Sequence, residues 1–317
     1  MAEAPLKIVI TGGTGLVGRA LAKQLAVEGH EVSILSRNIS TTSSGSTIKR
    51  INWNPESGAI DWESVCEADC IVHLAGTSVT SGRWTSKRKR LIRSSRLDAS
   101  KVLYETLASH PNRVRTVIAA SAIGFYGSSE SHIYTESDAP ATDFLGDTCM
   151  QWERSLRRLE SLDLRLVILR FGIVLSRNGG GLPKMELPLH FGMAAIPGSG
   201  EQWISWIHID DLCRMVTKTI TETNWKGVYN AASPFPTSQK QLVLSLAKGM
   251  NKKFYLRVHV PALLLRILLG EMSTEILKSC RVSAEKALHD GFDFEFPTIG
   301  RAMEALYGSQ ISRQTSV

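Results

Sequence analysis

The feature that most constrains this chain is Gly12-Gly13-Thr14-Gly15-Leu16-Val17-Gly18, which stands between an apolar run and a helical periodicity. The run, Leu6-Lys7-Ile8-Val9-Ile10, is short and rich in β-branched residues, and Thr11-Gly12-Gly13 ends it as a turn. From about Thr14 to Glu28 the apolar residues Leu16, Val17, Ala20, Leu21 and Leu25 recur at helical spacing, and Gly29-His30 closes the segment. Strand, glycine turn and helix in that order open a βαβ unit. Glycines there allow a tight turn and let backbone N–H groups reach a pyrophosphate at the positive helix end. The expected ligand is a dinucleotide, held by Gly12, Thr14, Gly15, Leu16, Val17 and Gly18. A nucleoside triphosphate site is excluded: Gly13 and Gly18 have its spacing, but Arg19-Ala20 stands where Lys and Ser or Thr are needed.

The second strand, Glu31–Leu35, decides between cofactors. A site for an unphosphorylated ribose usually has Asp or Glu about 20 residues past the glycines. Here the strand ends in Leu35-Ser36-Arg37 with no acid. An arginine pairs with a 2′-phosphate and the serine adds a hydrogen bond, so Ser36 and Arg37 point to NADP(H).

The same rhythm continues. Asp69–Leu74 reads as a buried strand, Ser86–Ser109 as a long helix and Val114–Ala120 as a strand. Phe144–Ser161 reads as a helix, Leu164–Phe171 as a strand and Thr41–Thr47 as a polar loop. Strands separated by crossover helices predict an α/β fold with a doubly wound parallel sheet. After Gly172, closely spaced Gly and Pro from Gly179 to Gly200 interrupt the pattern, and the rest reads as a smaller, mostly helical lobe. The expected division is a nucleotide-binding domain at 1–174 and a substrate lobe at 175–317, with the sheet reclaiming a strand near Val228-Tyr229-Asn230.

Charge narrows the partners. The formal excess is +7, and Arg83 to Lys101 holds eight basic residues against the single acid Asp98, so this one stretch carries the whole excess. A nucleic-acid binder would spread it more widely and interleave aromatic residues. No run approaches the length of a spanning helix, and Val260–Leu269 is broken by Arg266 and Pro261. The first residues lack the basic and apolar regions of a signal peptide. Five cysteines without a CxxC pair argue against a disulfide framework or structural zinc, so a cytoplasmic setting is expected. No metal, nucleic acid or membrane is expected as a partner, and the oligomeric state is left open.

Several stretches then resemble a known family. Thr11–Gly18, Leu74-Ala75-Gly76, Ser121–Gly127 and Trp206-Ile207-His208-Ile209-Asp210-Asp211 resemble extended short-chain dehydrogenases/reductases. Ser94-Ser95-Arg96-Leu97, Leu169–Leu175 and Gly198–Trp203 are similar to the atypical, epimerase-like "cell division inhibitor-like" subgroup. Val260-Pro261-Ala262 through Gly270-Glu271-Met272, Arg281-Val282 and Gly291-Phe292 resemble its C-terminal domain of unknown function, at about 250–306. The resemblance implies a Rossmann-like NADP(H) domain. It also places Leu74, Ala75 and Gly76 against the cofactor, and Arg96 and Arg170 near its phosphate or ribose groups.

The departure concerns catalysis. Typical members carry Tyr-x-x-x-Lys on a helix, where the lysine lowers the phenol pKa for proton transfer. Of the six tyrosines here (104, 126, 134, 229, 255 and 307), none has lysine four residues later. Ser121 stands where the relatives' catalytic hydroxyl is expected and is the weak remaining candidate, with Tyr126, Cys149 and Asp147 as substitute acids. His208, Asp210 and Asp211 resemble a metal cluster by residue type, but in the extended relatives that segment braces the two lobes. The expected function is an NADP(H)-dependent, nucleoside-diphosphate-sugar-epimerase-like oxidoreductase of unknown substrate. The alternative is a non-catalytic NADP(H) sensor or binding module.

Overall fold

The computed structural model describes residues 4–37 and 47–308. Residues 41–46 of the expected polar loop, and residues 1–3, lie outside the described residues. Strand β1 (Lys7–Thr11) leads into helix α1 (Leu16–Val27) and β2 (Glu31–Ser36). β3 (Ile48–Asn54), β4 (Ala59–Ile60), α2 (Trp62–Cys66) and β5 (Cys70–His73) follow. α3 (Ser86–Ser109) precedes β6 (Thr116–Ala122), and α4 (Phe144–Arg157) precedes β7 (Arg165–Phe171). α5 (Ile209–Thr221) and β8 (Gly227–Ala231) complete the sheet, so the strand near Val228 does join it.

The sheet runs β8-β7-β6-β5-β1-β2-β3-β4, parallel except for β4. Its strand order reverses between β1 and β5, which opens a crevice at the carboxyl ends of those strands. Central strands are buried on both faces, so they read as apolar runs rather than alternations. α1 and α5 cover one face through Leu21, Leu25, Leu212 and Val216. α3 and α4 cover the other through Leu103, Leu107, Trp152 and Leu156.

The larger differences from the sequence reading lie at β3, β6 and α4, while other strand ends differ by a single residue. β3 is absent from that reading, because on this outer part of the sheet only Trp53 of Ile48–Asn54 is buried and the strand offers no apolar run. β6 starts at Thr116, later than Val114, and reaches Ala122. α4 ends at Arg157 and tightens into a 3₁₀ turn to Leu162, which Asp163 closes in a left-handed conformation.

The remaining elements form a second core of Leu182, Leu189, Trp206, Leu242, Leu246 and Met303. Helices Leu182–His190, Gln239–Gly249 and Ile299–Tyr307 enclose it, beside a parallel pair of strands, Met193–Pro197 and Leu256–Val260. One polar residue ties the C-terminal segment to α5, and another ties α5 to the sheet. Buried Asp211 accepts the backbone N–H groups of Glu295 and Phe296, both at 2.9 Å. Arg165 donates to the carbonyls of Thr219, Glu222 and Trp225, satisfying the end of α5 where the helix dipole is negative.

Candidate functional site

The glycine turn separates into packing positions and one open position. Gly12 has φ +68°, and a Cβ there would meet the Leu74 carbonyl oxygen at 2.6 Å. A Cβ on Gly18 would lie 2.4 Å from the Gly12 oxygen, so only glycine lets α1 sit this close to the turn. Gly15 is different. A Cβ there would meet nothing but the Gly12 oxygen, at 3.1 Å. The space beside it is open.

Gly15 is also the N-cap of α1, and no side chain caps that helix. By contrast, Thr85 caps α3 and Asp143 caps α4 with side-chain oxygens. The first turn of α1 carries no acid. Its free N–H donors and positive dipole end therefore face open space, the arrangement an anionic pyrophosphate satisfies. Thr14 and Leu16 flank Gly15, and Val17 follows on the same turn. The Leu16 side chain supports Gly179 and Gly180, within 3.4 Å of the Cβ each would carry.

Register supplies the next wall. Thr11 pairs with Leu35, so Ser36 and Arg37 lie beside Gly12 and Gly13 at the carboxyl end of the sheet. Ser36 is buried and Arg37 is exposed, a cation within reach of the outside of the turn. The other wall is the β5 end. Thr11 Oγ1 accepts the N–H groups of Leu74 (3.1 Å) and Ala75 (3.0 Å), which holds Leu74-Ala75-Gly76 against the glycines.

A buried chain of hydrogen bonds continues from there. Thr11 Oγ1 lies 3.0 Å from His73 Nδ1, His73 Nε2 lies 3.2 Å from Ser100 Oγ, and Ser100 donates to the Arg96 carbonyl at 2.9 Å. With two N–H groups already donating to Thr11, its own proton goes to His73 Nδ1, which assigns the Nε2–H tautomer. Burial holds the His73 pKa down to about 4, so the ring is neutral near pH 7. Arg96 itself turns inward, donating to the Thr77 and Ile92 carbonyls and lying over the Trp152 ring. Its guanidinium carbon is 3.2 Å from where a Cβ on Gly76 would stand. Arg96 thus supports the Gly76 loop from below.

The end of β6 is closed. Ser121 donates to Glu153 Oε1 at 2.7 Å. Arg170 donates to the same carboxylate from Nε (2.8 Å) and Nη2 (2.9 Å), and to Tyr126 Oη from Nη1 (2.7 Å). Tyr126 passes its proton to Asn230 Oδ1 at 2.7 Å. Glu153 and Arg170 are each 3% exposed, and Arg170 lies over the Phe125 ring at 3.5 Å. This cluster joins β6, β7, β8 and α4.

The face of α4 toward β6 carries Leu145, Cys149 and Glu153 at fourfold spacing. Leu145 packs where a Cβ on Gly124 would be, Cys149 is buried, and Glu153 takes Ser121. No phenol and no lysine stands on that face. Burial pushes the Cys149 thiol up to about 12 and, against the pull of Arg170, raises the Tyr126 phenol. Asp147 is the partly exposed candidate, and it accepts from Arg93 and from Gln151.

Several other residues have structural placements. His208 Nδ1 accepts the Asp210 N–H at the start of α5, and its ring packs on Phe296. Asp211 braces the C-terminal segment, as described above. Lys89 pairs with Glu271 and Arg93 with Asp147, so those members of the basic stretch bridge to neighbouring segments. The sequence reading missed His73, Glu153 and Asn230. A Glu one turn beyond Cys149 on an amphipathic helix, opposite an Arg inside the buried run Arg165–Phe171, was the available signal for the ion pair.

The model of the NAD dependent epimerase/dehydratase family matches residues 8–232, and the domain of unknown function DUF1731 matches residues 260–306. An epimerase family protein of Staphylococcus saprophyticus is 37% identical over 300 residues, covering 94% of this chain and 98% of its own. The Bacillus subtilis epimerase family protein YfhF is 35% identical over 302 residues, covering 95% of this chain and 98% of its own. Among solved structures, human epimerase family protein SDR39U1 (isoform 2) with NADPH superposes with a TM-score of 0.83 at 24% identity, covering 96% of this chain and 99% of that one. A nucleoside-diphosphate sugar epimerase from Corynebacterium glutamicum gives 0.75 at 30% identity, covering 98% of this chain and 61% of that one.

Proposed function

This chain belongs to the NAD dependent epimerase/dehydratase family, and from that premise we propose that it is an atypical short-chain dehydrogenase/reductase, an NADP(H)-dependent oxidoreductase. The observation that carries this reading is the uncapped start of α1 at Gly15 with Arg37 beside it. The cofactor would supply hydride exchange with a small substrate lying between the sheet and the C-terminal lobe. Gly12 and Gly18 let the turn close against β5 and α1, Gly15 leaves room for the pyrophosphate, Ser36 and Arg37 take the 2′-phosphate, and Leu74–Gly76 form the opposite wall. Free cysteines at all five positions suit a reducing cytoplasm.

The reaction runs without a Tyr-Lys relay. A phenol tuned by lysine contributes roughly 10²–10⁴-fold through general acid–base catalysis. Here the groups that face the end of β6 are tied to one another, so turnover of common sugar nucleotides is expected to be slow. That same closure favours a second reading, an NADP(H) sensor that binds the cofactor without chemistry.

Calorimetry separates the cofactors. A charge-assisted phosphate contact gives NADPH an advantage over NADH of roughly ten- to a hundred-fold, and Arg37→Asp should erase or invert it. Equal affinity for both cofactors in the wild type would remove Arg37 from the site. Stopped-flow NADPH oxidation across a carbonyl panel then divides enzyme from sensor. Turnover that survives Ser121→Ala and Tyr126→Phe fits an enzyme with another proton source, whereas tight binding with no turnover on any compound favours the sensor.

A further inference from the structure

One part of the chain has a surface that neither the cofactor site nor the packing explains. Helix Ala262–Leu269 has the sequence Ala-Leu-Leu-Leu-Arg-Ile-Leu-Leu, and of its residues only Leu265 is buried. Leu263 is 70% exposed and Ile267 60%, with Leu264 and Leu268 exposed beside them. The strand that leads into this helix begins with exposed Leu256, in register with exposed Met193, and exposed Phe254 lies just before it. Contiguous exposed apolar side chains of this kind mark an interaction surface.

The charge around the helix selects the partner. Its far end meets the start of α3: the Arg83 guanidinium lies 3.4 Å from where a Cβ on Gly270 would stand, and Lys89 pairs with Glu271. The basic stretch of α3 therefore borders the apolar helix. Glu271 and Asp147 go to Lys89 and Arg93, while Arg83, Lys87 and Arg90 stand exposed. Arg257 on the leading strand and Arg266 on the helix are exposed as well.

We propose that Ala262–Leu269 and the basic start of α3 form a docking surface for an anionic lipid bilayer. Eight helical residues are about 12 Å long, too short to span a bilayer but enough to lie in its interface with the leucines in the acyl boundary. Arg266 reaches the headgroups along its own stem, as arginine does at interfaces. Arg83, Lys87 and Arg90 face the anionic surface, and the contact needs no spanning segment. A second copy of the chain fits less well. A symmetric pair sets a patch against itself, which would oppose this cationic rim to its own copy. An anionic bilayer satisfies the leucines and the arginines together.

The test is co-sedimentation of the full chain with vesicles of phosphatidylcholine alone and of phosphatidylcholine with about one-third phosphatidylglycerol. The wild type should sediment with the anionic vesicles and be released by high salt. Leu264→Glu/Ile267→Glu should abolish sedimentation. Lys87→Gln/Arg90→Gln should weaken it by roughly 25-fold, since each basic group near such a surface contributes about fivefold. Wild-type protein that stays in the supernatant with both vesicle types would overturn the proposal, and so would unchanged sedimentation of the Leu264→Glu/Ile267→Glu variant. A vesicle-free dimer that the same variant converts to monomer, without vesicle binding, assigns the face to a second copy and also overturns it. Thermal unfolding of the same samples shows that the variants are folded. The proposal does not rest on the cofactor reading, so loss of one leaves the other standing.

Discussion

Two strand ends in this sheet meet the same crevice with opposite chemistry. At the end of β1, the N–H groups of α1 have no side-chain cap, a Cβ at Gly15 would meet almost nothing, and Arg37 stands exposed beside the turn. At the end of β6, Ser121, Tyr126, Glu153, Arg170 and Asn230 satisfy one another out of water. The first region holds backbone donors open to solvent; the second satisfies its polar groups among its own side chains. The lesson is that a polar side chain at the crevice end of a strand is not by itself a catalytic group. What matters is whether its hydrogen-bonding capacity is already engaged.

The largest expected effect lies at the closed end. Glu153→Leu leaves Arg170 buried without its counter-ion and should destabilise the protein by about 3–5 kcal/mol, read from urea unfolding. Glu153→Leu combined with Arg170→Met should recover most of that loss, because the cost comes from the unpaired charge. The folded fraction of either variant should still bind NADPH. If Glu153→Leu alone removes binding, the two regions are coupled and the division between them fails.

The Thr11–His73–Ser100 chain connects the open end to α3, and pH tests it. Folded His73 has a pKa of about 4 against 6.5 for an ordinary histidine, so between those values the unfolded chain binds more protons. Its contribution is complete above about pH 6.5 and is lost as the pH falls through about 4, a loss of up to about 3 kcal/mol. Thermal unfolding across that window should show the fall, and His73→Gln should flatten it. An unchanged slope in His73→Gln would mean that other groups carry the acid sensitivity.

The smallest expected change in stability comes from the open end itself. Gly15 has φ −75°, which any residue adopts, so Gly15→Val should alter unfolding free energy by only about 1 kcal/mol. Its branched methyls nevertheless enter the open space where we place the pyrophosphate, and NADPH fluorescence enhancement should disappear. Retained enhancement in the folded variant would show that the turn is structural alone.

Much of the sheet was legible in the chain. Leu6–Ile10, Glu31–Leu35 and Asp69–Leu74 are apolar because both faces of a central parallel strand are buried, and the run itself announces that. The glycine turn was legible for a related reason: close backbone approach and a bare helix start demand glycines at fixed spacing, whatever the rest of the chain does. β3 was not legible, since a strand near the sheet edge buries one side chain in seven and leaves no apolar run. Helix Ser86–Ser109 was found at its observed bounds because Thr85 caps its start and His110-Pro111 stands at its end.

The sequence by itself determined the α/β architecture, the turn at Gly12–Gly18, the arginine in place of an acid at residue 37 and the absence of any Tyr-x-x-x-Lys pair. These are local properties, set by residue type and spacing within a few turns of chain. Only the tertiary structure decided that Ser121 faces Glu153, that Arg170 is locked between Glu153 and Tyr126, and that Arg96 lies beneath Gly76. Those contacts join residues from 17 to 44 positions apart, between elements whose alignment follows from how helices settle on the sheet. A buried charge and its counter-ion must meet for the fold to be stable, but spacing along the chain does not record which residues will do so.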